Sequence, residues 1–241
     1  MTAEIPHTDD LIPGPFLVPG GWSRDNIECG NRHYPLTRPA QPDLLLDDPR
    51  VLEENEEGVY IPYWALLWPA AARMAAMFEH GDWTPGATAL ELGCGVGLVG
   101  LAALQAGLRV TFTDYRQEAV ELACWNAREA GFQADADFDG SQLDWNDPPT
   151  VRTFDHIFGC EIVYETDFHE PLLRALSILL APGGRCWFGD SGRINSDKFF
   201  ALATSCGWKI TRLDRRLHPL TEPRIGRFQV FCLERDVTPV S

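Results

Sequence analysis

Basic residues are in short supply in this 241-residue chain: 20 Lys and Arg stand against 35 Asp and Glu, for a formal net charge of −15 and a pI near 4.7. Such a mean field repels phosphate backbones and anionic lipid, so neither a nucleic acid nor a membrane is expected as a partner. A lysine-rich protein would be tolerated or steered, although acidity serves solubility equally well. Long apolar runs are also missing. The longest, Val59 to Met77, is interrupted by Pro62, Pro69 and Arg73, which excludes a membrane span. The first ten residues carry acids where a secretory signal would carry bases. Cysteine pairs at ligand or redox spacing are absent too. The seven cysteines (Cys29, Cys94, Cys124, Cys160, Cys186, Cys206, Cys232) are odd in number and scattered, so no metal site is expected and a reducing compartment is implied. A cytoplasmic location is the resulting expectation. No internal repeat or low-complexity tract occurs.

What is present is a globular composition, 45% hydrophobic and 23% charged. Prolines 13, 15, 19, 35, 39, 42 and 49 mark residues 1–57 as an N-terminal extension, with strand candidates Phe16–Val18 and Asp43–Leu46 between turn signals. The extension is expected to pack on or near the active face; a disordered tail is the alternative. After the acidic turn Glu53–Glu57 comes Tyr60 to Phe78, where Pro69 suits the first turn of an alanine-rich helix. Trp64 and Trp68 then lie at the mouth of that helix, unless they are simply core aromatics.

From residue 88 strands and helices alternate. Strands are expected at Thr88–Leu92, Val110–Thr113, Phe154–Cys160, Arg185–Gly189, Lys209–Leu213 and Phe228–Leu233, with a poorly defined one before Asp144. Helices are expected at Leu98–Gln105, Gln117–Ala130, Phe168–Leu180 and Ser196–Ser205. The fold class is therefore α/β, a Rossmann-like, mostly parallel sheet with helices on both faces, spanning 58–241. Ligands of such sheets sit outside the carboxyl ends of the strands.

Glu91-Leu-Gly-Cys-Gly-Val-Gly97 breaks the first of these strands into a glycine-dense turn that opens a helix. Gly95-Val-Gly-Leu-Val-Gly100 formally matches a dinucleotide pattern, with Asp114 further on. Glu91, however, would repel a diphosphate and suits a cofactor with an ammonium and no phosphate, as in S-adenosylmethionine. Asp114 closes the next strand, where a carboxylate can accept two ribose hydroxyls; a helix N-cap is the plainer role. Asp144-Trp145 could meet an adenine edge and face. Glu161-Ile-Val-Tyr164 puts an acid and a tyrosine just past a central strand, near a substrate nucleophile. It could instead cap the next helix, work that Glu165 and Asp167 could also do. Gly189-Asp-Ser-Gly-Arg193 ends the fifth strand at the same rim, where Arg193 could pair with Asp190 or grip an acidic group on a partner; a plain turn is the alternative. His33 and His169 have no companions.

Together these residues resemble the seven-strand S-adenosylmethionine-dependent methyltransferases, and more narrowly the protein-lysine methyltransferases that modify non-histone proteins, including the enzyme acting on the β-subunit of electron-transfer flavoprotein. The resemblance covers residues 58–233 and rests on Glu91–Gly97, Asp114, Leu143-Asp-Trp145, Glu161–Tyr164 and the segment Trp64–Ala71, in which Trp68 matches best. Gly189–Arg193 is similar too, but has serine where proline is expected. The resemblance implies a cofactor set of Trp68, Glu91, Gly93, Cys94, Gly95, Gly97, Asp114, Tyr115, Asp144, Trp145 and Cys160, with Glu161 and Tyr164 catalytic. It further implies a lysine-bearing protein as substrate, and a monomer is expected. A small-molecule methyltransferase, a silent cofactor-binding module and a nicotinamide enzyme remain the alternatives.

Overall fold

The computed structural model describes residues 14–49, 51–53, 61–150, 152–222 and 225–235. The acidic turn at 53–57 lies mostly outside them. Two strands form an N-terminal ribbon, β1 (Trp22–Cys29) and β2 (Arg32–Pro39). The other seven, β3 (Thr88–Leu92), β4 (Arg109–Asp114), β5 (Phe138–Gln142), β6 (Phe154–Cys160), β7 (Leu180–Asp190), β8 (Trp208–Leu213) and β9 (Gln229–Arg235), make one sheet in the order β5-β4-β3-β6-β7-β9-β8. β3 to β7 pair in parallel, and β9 runs antiparallel between β7 and β8. Strand order reverses between β3 and β6, which opens the crevice where ligands of such sheets bind.

Period-two alternation sends neighbouring strand residues to opposite faces. Ala89, Phe158, Val230 and Cys232 enter one core. Leu90, Leu92, Ile157, Phe231 and Leu233 enter the other. The first face is covered by α1 (Pro69–Ala75), α2 (Leu98–Gln105) and α3 (Gln117–Glu129), the second by α4 (His169–Leu179) and α5 (Ile194–Ser205). Helix α2 is buried at every position from Leu98 to Leu104, because α1 and the ribbon cover the side turned away from the sheet. That is why it reads as apolar all round.

The N-terminal strand expectations need correction. Phe16–Val18 forms no strand, and Asp43–Leu46 lies in a 3-10 helix, Pro42–Asp47. The strands are instead β1 and β2, which pair antiparallel from Trp22↔Pro39 to Cys29↔Arg32 around Gly30-Asn31. Trp22, Cys29, Tyr34 and Leu36 join the first core. Asn126, a fully buried residue of α3, ties the ribbon down. Its Oδ1 accepts from Thr37 N–H at 2.8 Å, and its Nδ2 donates to Thr37 O at 2.9 Å and to Val96 O at 3.0 Å. One side chain thus fastens β2 to the middle of the glycine turn.

Candidate active site

The turn after β3 takes positive φ at Gly93, Gly95 and Gly97, with values of 62°, 48° and 81°. At Gly97 an added Cβ would lie 2.7 Å from Ala123 Cβ, and at Gly95 it would lie 3.1 Å from Trp64 O. Both α3 and the segment before α1 are therefore packed directly on the turn. Gly97 is the N-cap of α2 and has no side chain to offer its N–H groups. Glu91 fills that role from beneath: its Oε2 accepts from Gly100 N–H at 2.9 Å while the residue is only 3% exposed. Gly100 is needed for this approach, because a Cβ there would lie 2.4 Å from Glu91 Oε2 and 2.3 Å from the Phe112 ring. Burial drives the Glu91 carboxyl well above the usual carboxylate range, and the charge of Asp114 adds to the rise.

Asp114, at the end of β4, is aimed by the backbone. Its Oδ2 accepts from Gly95 N–H at 3.1 Å and its Oδ1 from Arg116 N–H at 3.0 Å. The N-cap of α3 is Arg116, with no side-chain capping bond, so Asp114 braces the entry to that helix without capping it. Each carboxylate oxygen keeps a lone pair for a further donor, as a ribose diol would supply. Burial raises its pKa, against hydrogen bonds from Arg116, Gly95 and Tyr115. Leu143 N–H donates to Asp114 O at 2.9 Å, which brings the Leu143-Asp-Trp145 segment alongside. Asp144 Oδ1 accepts from both the backbone and side-chain N–H groups of Asn146, and Trp145 meets Phe168 edge to face at 6.1 Å. Tyr115 is 63% exposed, and its carbonyl accepts from Gln142. Cys94 is buried and Cys160 half-buried, and burial pushes both thiols well up, which leaves them protonated.

Across the turn stands a second group. Glu161, just past β6, is 6% exposed and holds φ at +58°, unusual for a residue with a Cβ. Its Oε1 accepts from Ser191 N–H at 2.7 Å and from Ser191 Oγ–H, and its Oε2 from Arg193 Nε–H at 2.6 Å. Arg193 therefore pairs with Glu161 and not with the Asp190 side chain. Asp190 is fully buried and accepts from the backbone N–H groups of Gly192 and Arg193 and from Ser196 Oγ–H. The Arg193 guanidinium carbon lies 5.7 Å from the Trp68 ring and 5.8 Å from the Tyr164 ring. Tyr63 completes the wall, 5.8 Å from Trp68 and 6.0 Å from Tyr164. Burial, with the charge of Glu165, pushes the Tyr164 phenol up to about 12, so at neutral pH it is a hydrogen-bond donor. Neither Glu165 nor Asp167 caps α4 with its side chain. Among the described residues no cluster of His, Cys, Asp and Glu is arranged to hold a metal ion, and no helix is long and apolar enough to cross a membrane.

The structure thus brings Trp68, Glu161 and Tyr164 to one rim and Gly93–Gly97 with Asp114 to the adjoining one, while Glu91 sits beneath the turn. Tyr63 and Asn126 had not stood out in the sequence, and Ser191 had stood out only as a departure from the resemblance. The serine at 191, where the resemblance leads one to expect proline, was the available signal, since proline has neither the N–H nor the O–H that Ser191 gives to Glu161.

The chain is 22% identical to a TehB-like S-adenosylmethionine-dependent methyltransferase of Corynebacterium glutamicum, with a TM-score of 0.55 over 82% of this chain and all of that one. That likeness concerns the fold. A histone-arginine methyltransferase of Rattus norvegicus is 26% identical over 62% of this chain and 68% of its own length. A protein N-lysine methyltransferase of Danio rerio is 34% identical over 48% of this chain and 55% of its own. The lysine methyltransferase family model matches residues 50–205, well over half of the sequence. With its seven-stranded sheet and glycine turn, the chain belongs to the lysine methyltransferase family of S-adenosylmethionine-dependent enzymes.

Proposed function

We propose that this protein methylates lysine side chains of a protein substrate, with the acceptor amine received by Glu161, Tyr164 and Trp68. The observation that carries this reading is the meeting of a buried carboxylate, a protonated phenol and an indole at the rim beside the glycine turn. S-adenosylmethionine, when bound, supplies an activated methyl group on a sulfonium. The protein's task is to orient the reactants and exclude water. The backbone of Gly93, Cys94, Gly95 and Gly97 would accept the close approach of the cofactor, and Asp114 would hold its ribose hydroxyls. Asp144 and Trp145 would face its adenine, with Tyr115 and Cys160 flanking. Glu91, buried and in no ion pair among the described residues, would favour the ammonium group through the field beneath the turn.

A free lysine has a pKa of about 10.4 and must lose a proton before its nitrogen can attack. Glu161 would orient the incoming ammonium, and the Tyr164 hydroxyl would hydrogen-bond the amine as water takes the proton. Residues 1–57 would form an extension beside this face and 58–241 the catalytic domain. A monomer working in the cytoplasm, without nucleic acid or membrane, completes the reading; the net charge of −15 disfavours a nucleic-acid or anionic-membrane partner.

Labelled methyl transfer from the cofactor into a cell lysate tests the proposal, with mass spectrometry locating the modified atom. Label on lysine Nζ is expected. Label on arginine alone, or only in a metabolite extract, would replace this reading with a different acceptor.

A further inference from the structure

We infer that Arg193 is a built-in competitor for the acceptor site, a cation of the enzyme's own chain that an incoming lysine ammonium has to displace. The inference rests on the acceptor reading given above. A lysine ammonium oriented by this rim needs a carboxylate on one side and aromatic faces on the other. Arg193 already uses both, bonded to Glu161 Oε2 at 2.6 Å and lying 5.7 and 5.8 Å from the Trp68 and Tyr164 rings. Two adjacent cations at a carboxylate whose side chain is 4% exposed would repel each other across a low-dielectric gap. Only one can hold the place.

The surroundings allow the exchange. The Arg193 backbone is fixed as the N-cap of α5, with its N–H bonded to Asp190 Oδ1. Its side chain is 41% exposed, so a rotation outward takes the guanidinium into water without moving the helix. Glu161 does not collapse when this happens, because Ser191 N–H and Oγ–H still hold Oε1. The consequence is selectivity. A free amine has only its ammonium contacts with which to expel Arg193, whereas a lysine carried by a docked protein draws on binding elsewhere on the surface. The device fits a protein acceptor and turns small amines away.

The test titrates n-butylammonium, the cationic end of a lysine side chain, into wild type, R193Q and R193K, each loaded with S-adenosylhomocysteine, by calorimetry. R193Q is expected to bind the probe about tenfold more tightly than wild type, the scale of a desolvated cation–π contact with a charge-assisted bond. R193K keeps a charge but loses the planar fork, so an intermediate gain of about threefold is expected. Equal or weaker binding in R193Q overturns the inference. Should R193Q fail to retain S-adenosylhomocysteine, the R193K comparison decides in the same direction. A protein that methylates no lysine in lysate but shows the gain in R193Q would sink the acceptor reading and leave the competition standing; lysine methylation without the gain would do the reverse.

Discussion

Glu91→Gln separates the helix-bracing bond that this buried carboxylate makes from the cofactor-holding role proposed for it. The carboxylate accepts the Gly100 N–H at 2.9 Å, a bond the amide oxygen of glutamine can also accept. What the variant loses is the charge, which burial disfavours and the neighbouring Asp114 disfavours further. Without cofactor, the variant should be more stable by on the order of 1 kcal/mol, a common size for a single substitution, or roughly 2–4 °C in Tm for a chain of this length. With cofactor the sign reverses. A contact between a charged group and its partner contributes about 1.5–3 kcal/mol, so S-adenosylhomocysteine, which keeps the ammonium group, should bind roughly 10- to 150-fold more weakly.

The pH dependence follows from the direction of the shift. The unfolded chain releases this proton near 4.5, and the folded chain releases it later. Above 4.5 the unfolded state therefore binds fewer protons, and wild-type stability falls as pH rises through the folded pKa. The Tm advantage of the variant should vanish below 4.5 and open above it. Thermal melts across pH, paired with calorimetry of S-adenosylhomocysteine, give both numbers. Unchanged affinity would show that Glu91 only caps the helix, and a lower Tm without cofactor would refute the electrostatic account of its burial.

Tyr164→Phe should lower kcat at least about tenfold with S-adenosylhomocysteine affinity nearly unchanged, as removal of one hydrogen bond to the reacting amine would do; equal losses in both would refute the assignment. Because the Tyr164 phenol titrates only near 12, kcat/KM should rise with pH toward the acceptor lysine's own pKa of about 10.4 and show no downturn from this tyrosine before that point. Asp114→Asn exchanges an acceptor oxygen for an N–H that faces the Gly95 or Arg116 donors, and should weaken cofactor binding by about tenfold or more without a comparable change in kcat. Asn126→Leu strands the Thr37 N–H and two carbonyls in the core at about 1–3 kcal/mol each. Hydrogen exchange at Thr37 should accelerate and Tm should drop by several degrees; an unchanged melt would sink the tethering role.

The glycine turn was legible in the sequence because a continuous apolar strand, a break and an apolar helix follow one another locally. β3, β6 and α2 accordingly have the boundaries read from the residues alone. The ribbon was not legible for an equally physical reason. β2 contains Pro35 and Pro39, which normally demote a strand, and only a two-stranded edge partner tolerates them. β1 alternates half-buried and exposed residues between its buried ends Trp22 and Cys29, but the half-buried side carries Ser23 and Asp25 beside Ile27, so the apolar alternation is faint in the sequence. Within the site, the spacing of Glu161 and Tyr164 could be read, but the tie to Arg193 could not. It spans 32 positions and depends on how β6 and β7 end side by side. The G-x-x-G echo of a dinucleotide motif has a packing cause here: Gly100 is glycine so that Glu91 and Phe112 can approach α2.

The tie between Thr37 and Asn126 crosses 89 positions of the chain, and this sets an order of events during synthesis. The ribbon closes through local pairing as soon as both of its strands have left the ribosome, but an isolated pair of strands is at best marginally stable in water. Its lasting partners, α1, α2 and α3, arrive only with later stretches of chain, so docking is a second and slower step governed by long-range contact formation. A nascent chain stalled before residue 126 would hold a formed turn with no Asn126 to anchor the ribbon, and protease sensitivity at the ribbon would report how far translation had advanced.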